Sequence, residues 1–74
     1  MNAYATIEFL SASTINGRTV RRAFVELSTQ TGEWLGSFTV FGLTSHELKD
    51  RAYMEANLNA SYKGYTLQSL RESA

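Results

Sequence analysis

Two turn signals constrain this chain more than anything else in it. Asn16-Gly17 is a strong hairpin signal, because a two-residue type I′ loop needs positive φ at both central positions. Gln30-Thr31-Gly32 reads as a three-residue loop with Gly32 left-handed. Each turn sets a register. The first puts Ile15 opposite Arg18 and, followed down the ladder, Phe9 opposite Phe24. The second puts Thr29 opposite Glu33 and Phe24 opposite Phe38. Both meet in one aromatic row across three strands.

Residues 4–13, 18–29 and 33–42 read as strands rich in strand-forming residues. Leu43-Thr44-Ser45-His46-Glu47-Leu48 then reads as a helix start, with Thr44 as N-cap, Glu47 at N3 as a capping box, and Leu43 and Leu48 as a hydrophobic staple. The helix is expected from Ser45 to about Ala60, closed by a left-handed Gly64 or Asn59. Tyr65 to Arg71 reads as a fourth strand, in which Leu67 and Leu70 can share a face only through a bulge. The last three residues are expected to fray. The fold class is therefore α+β in the order β-β-β-α-β: a three-stranded antiparallel meander, one helix packed on one face and a short fourth strand, forming a single domain over residues 1–74.

In this register one sheet face carries Ile7, Phe9, Phe24, Trp34, Phe38 and Val40, which meet Leu48, Ala52 and Ala56 of the helix as the core. The other carries Leu10, Ala12, Ala23, Val25, Leu27, Leu35 and Phe41 among polar residues. One helix covers one face, so the second is an apolar patch larger than scattered surface residues form. Two readings stay open. Either the register is shifted by one or the sheet tolerates a wet face; or this face meets another protein or a second copy, with Leu10, Val25, Leu27, Leu35 and Phe41 as its contacts.

Seven Lys and Arg balance seven Asp and Glu, so no global field points toward nucleic acid, an anionic membrane or a basic target. There is no cysteine, which removes disulfides and thiolate metal sites. No apolar run is long enough to span a bilayer and the first residues lack the regions of a signal peptide, so a cytoplasmic location is expected. His46 has Asp50 one turn on, but two groups fall short of a metal site. Glu8 and Glu26 emerge on opposite faces, Glu26 on the core side, where either it lies near the edge and reaches solvent or Arg22 pairs with it. Neither a Gly-x-Ser-x-Gly elbow nor a phosphate-binding glycine loop is present. The expectation is a chain without enzymatic activity, cofactor or small-molecule substrate. The densest charge, Arg18, Arg21 and Arg22, lies at the distal end of the first hairpin. It suits either a partner contact or solvated strand ends, and nucleic acid is disfavoured because Phe24 is assigned to the core.

From Thr44 to Arg71 the order is a capped helix, then Tyr62-Lys63-Gly64-Tyr65, then the strand Thr66-Leu67-Gln68-Ser69-Leu70, all after a meander. This build resembles many short proteins of phages and mobile elements, among them anti-CRISPR proteins and related inhibitors of bacterial defence. The resemblance implies a non-enzymatic protein-binding module that inhibits a defence complex inside the bacterial host, by contact with protein. The balanced charge departs from the strongly acidic members that imitate DNA. The alternatives are a homodimeric structural protein, or a nucleic-acid-binding accessory protein using the Arg18 to Arg22 hairpin.

Overall fold

The computed structural model describes residues 1–73. It is α+β, with one helix and a mixed sheet of five strands: β1 (Asn2–Phe9), β2 (Ser13–Ile15), β3 (Arg18–Thr29), β4 (Trp34–Gly42), α1 (Ser45–Tyr62) and β5 (Thr66–Glu72). β3 is the spine. β4 pairs antiparallel on one side of it, β1 and then β2 on the other, and β5 joins β1 in parallel.

Both hairpin turns form as their residues dictate. Asn16 and Gly17 take φ of 52° and 78°, and Ile15 faces Arg18. Gly32 takes φ of 90°, and the Thr29 N–H reaches the Glu33 carbonyl at 2.8 Å. The registers then depart from those the turns set. β2 follows the first turn as far as Ser13 opposite Val20, but β1 resumes with Phe9 opposite Ala23. Three residues of one chain, Leu10 to Ala12, thus oppose two of β3, which is a β-bulge. The second ladder does the same: Ser28 faces Trp34, Leu27 faces Gly36, and Leu35 is the extra residue.

A one-residue slip turns every following side chain to the other face. The expected row Phe9-Phe24-Phe38 therefore does not form. Phe9 faces Ala23, Phe38 faces Val25, and Phe24 stands between Glu8 and Thr39. Since both ladders slip by one, β1 and residues 36–42 of β4 keep their expected faces, β3 is inverted, and Trp34 and Leu35 exchange faces at the second bulge. The expected continuous strand over residues 4–13 is broken at the first bulge.

The core follows from this corrected register. Ala3, Ala5 and Ile7 of β1, Ala23, Val25 and Leu27 of β3, Val40 of β4 and Leu67 of β5 cluster with Leu48, Ala52, Ala56 and Ala60 of α1. The helix residues recur every fourth position, a narrow stripe made mostly of alanine that lets the helix approach the sheet closely. Burial of Ile7, Val25, Leu27 and Leu48 contributes roughly 1.5–3 kcal/mol each. Val25 and Leu27 are core residues, with at most 1% of their surface exposed, and not members of an uncovered face as the turn arithmetic had it.

The helix ends match their signals. Thr44 Oγ1 accepts the Glu47 N–H at 3.1 Å, while Glu47 Oε2 receives the N–H of Leu43, one residue before the cap, at 3.3 Å. Leu43 itself stays exposed. At the other end Gly64 (φ 81°) donates to Ser61 and Tyr65 to Ala60, the paired bonds of a Schellman close. α1 runs to Tyr62, two residues past the expected end. In β5, Gln68 is the bulged residue and Leu67 and Leu70 both turn to the core. β5 continues through Glu72 and Ser73 donates to Ile7 at 2.8 Å, so those residues pair rather than fray; Ala74 lies outside the described residues.

Candidate binding surface

The face of the sheet away from α1 is set by the same registers. Across β5, β1, β3 and β4 its rows are Ser69-Tyr4-Ser28-Trp34, then Arg71-Thr6-Glu26-Ser37, then Glu8-Phe24-Thr39, then Arg22-Phe41. Leu10, whose N–H reaches the Arg22 carbonyl at 3.0 Å, extends the last row. Alternation alone puts these side chains on one face.

Apolar groups gather at both ends of this face. Phe24 and Phe41 are diagonal neighbours, a separation of about 7–8 Å that aromatic rings bridge, with half-buried Leu10 across β3 from Phe41. At the opposite end stand Tyr4, half-buried, and Trp34, 64% exposed. Between them runs a polar belt of Thr6, Glu8, Glu26, Ser37 and Thr39, all exposed. Glu26 is on this face and not in the core, for the reason that inverted Phe24.

The sequence-derived contacts divide accordingly. Phe41 and Leu10 lie on the uncovered face. Leu35, the bulged residue, is half-buried and packs back onto the core. Val25 and Leu27 lie inside. Arg18 and Arg21 are exposed near the hairpin tip. Arg22 does not pair with Glu26: its Nε and Nη2 reach the Ser11 carbonyl at 3.4 and 3.3 Å. The bulge takes Ser11 out of the ladder, and Arg22 supplies a donor to the carbonyl left free there. Arg22 thus holds the bulge closed.

None of the chain's one tryptophan, four tyrosines and four phenylalanines is buried. Aromatic side chains usually dominate the core of a small domain. Here the sequence reading missed Phe24, Trp34 and Tyr4 as surface residues. The signal for β3 was present in its own alternation: Ala23-Val25-Leu27 is wholly apolar, whereas Phe24-Glu26-Ser28 is not.

Several charges on and around α1 are engaged locally. His46 Nε2 and Asp50 Oδ2 lie 3.4 Å apart, both well exposed. Lys49 reaches Glu72 at 2.8 Å and its ammonium stands 5.9 Å from the Phe9 ring centre, over the margin of the core. Arg51 bridges Glu47 at 2.7 Å and the Phe41 carbonyl at 2.9 Å. Among the described residues no three acidic or histidine side chains stand together in a metal-binding group, and no helix is long and apolar enough to cross a membrane.

No protein-family model matches this chain, and neither the curated proteins nor the solved structures searched contain a match to it.

Proposed function

We propose that this chain is a small non-enzymatic protein-binding module that docks a partner protein on the uncovered face of its sheet. The observation that carries the reading is the placement of its aromatics: Tyr4, Phe24, Trp34 and Phe41 stand on a face with no second layer, while the core is built from alanine, valine, leucine and isoleucine. Exposed aromatic rings flanked by polar groups are the side chains that dominate protein–protein binding energies. Glu8 and Glu26 on this face are balanced by Arg22 and Arg71, so it presents no net positive field to a phosphate backbone, which favours a protein over a nucleic acid. The sharper form of the proposal, inhibition of a bacterial defence complex from a phage or mobile element, rests on the similarity of build alone.

Trp34 is the sole tryptophan, so its emission reports directly on this face. Added to a purified defence complex that it inhibits, the chain should show a blue-shifted Trp34 emission at saturating partner. The Phe24→Ser and Phe41→Ser variants should stay folded and lose at least tenfold in affinity. Binding that survives both changes sinks the assignment of the face. Binding only to oligonucleotides, with steep salt dependence, turns the reading toward nucleic acid.

A further inference from the structure

We propose that the free edge of β4 joins two copies of this chain, by antiparallel pairing about a twofold axis at Phe38. Among the described residues β4 pairs with β3 alone, so its outer edge carries backbone groups with no strand partner. The Phe41 carbonyl points outward, since Arg51 Nη1 binds it at 2.9 Å. By alternation the N–H and C=O of Thr39 and Ser37 point outward too. Beyond Ser37 the Leu35 bulge interrupts the edge. The open stretch is therefore short and closed at both ends, by Arg51 on one side and by the bulge on the other.

That stretch is complementary to itself. With Phe38 opposite Phe38 of the second copy, Ser37 faces Thr39 twice, and each such pair exchanges both of its N–H···O bonds. The next residues outward, Phe41 of one copy and Leu35 of the other, are those where each edge is already clipped or bulged. Regular pairing stops there, where Arg51 holds the Phe41 carbonyl and the bulge takes Leu35 out of line. Phe38, half-buried, and Met54, 64% exposed, line one shallow groove between β4 and α1. Across the axis the two Phe38 rings and two Met54 chains meet, which removes apolar surface from water. The β5 edge offers no such stretch: Gln68 bulges within it and Arg71 and Glu72 follow, both features that protect an edge.

Sedimentation of the chain tests this. Its mass should rise from 8.3 kDa toward twice that value with concentration, with dissociation in the micromolar range. Thr39→Pro removes only an outward N–H, which an edge strand tolerates, and should weaken the dimer at least tenfold. Met54→Arg, on the helix surface, should do the same by placing like charges across the axis. Trp34→Ser, on the uncovered sheet face, should leave the dimer unchanged. A chain that stays monomeric at about 500 µM, well above ordinary weak-dimer constants, overturns the proposal. So does a dimer that Met54→Arg leaves intact, or one that Trp34→Ser dissolves, since the interface would then lie elsewhere.

Discussion

Two sets of side chains leave the same strand in opposite directions and meet opposite fates. Ala23, Val25 and Leu27 of β3 are fully buried against α1, while between them Phe24 is half-buried and Glu26 exposed. Size does not decide the matter, because the phenylalanine lies outside and the alanine inside. What decides it is the shape of the second layer. A helix facing the sheet with Ala52, Ala56 and Ala60 comes close enough to leave room for aliphatic side chains of modest size, and interiors are packed without spare volume. Stability and surface chemistry therefore sit on alternate positions of one strand, and a substitution at one set need not disturb the other.

The largest test of that separation is a charge on each side. Leu27→Arg should unfold the domain, since an unpaired charge in the core costs more than about 4 kcal/mol, close to the whole stability of a small domain. Glu26→Arg, one residue away, should leave the far-UV circular dichroism and the amide spectrum native. A folded Leu27→Arg would restore the faces implied by the turns alone.

How the faces came to be misread from sequence is itself physical. Turns and caps are local: Asn16-Gly17, Gly32, Thr44 and Gly64 each act through their own backbone or a neighbour a few residues away, and each was legible. Register is local only near the turn. Leu10-Ser11-Ala12 carries neither glycine nor proline to mark a bulge, and its cost is offset by Arg22, a residue from another strand that binds the Ser11 carbonyl. Only in β5 did the sequence announce its irregularity, because Leu67 and Leu70 both required the core. The candidate surface inherited this asymmetry. Leu10 and Phe41 were read onto the uncovered face and lie on it, whereas Phe24 and Trp34 depended on the two ladders that slip.

A finer test exchanges the expected order of side-chain size. Val25→Ala should cost about 2 kcal/mol, from the lost methyl burial and the cavity left beneath α1. Phe24→Ala deletes a larger group from a half-exposed site and should cost about 1 kcal/mol, less than its smaller neighbour. Urea midpoints at equal slopes compare the two directly. If Phe24→Ala proves the more damaging, the ring is part of the core and the separation of the faces fails at its centre.

The smallest expected effect falls on the most exposed ring of this face. Trp34 stands at the start of β4 opposite Ser28, next to the bulge at Leu35, with 64% of its surface in water. Nothing in the core depends on it, and its backbone pairing survives any side chain of ordinary strand tolerance. Trp34→Ser should therefore shift the urea midpoint by less than the equivalent of about 0.5 kcal/mol, as surface substitutions do. Far-UV circular dichroism follows that transition without the tryptophan. A loss above about 1 kcal/mol would mean that the indole packs onto the sheet and supports the fold, and the argument that these aromatics are held out for a partner would lose its strongest member.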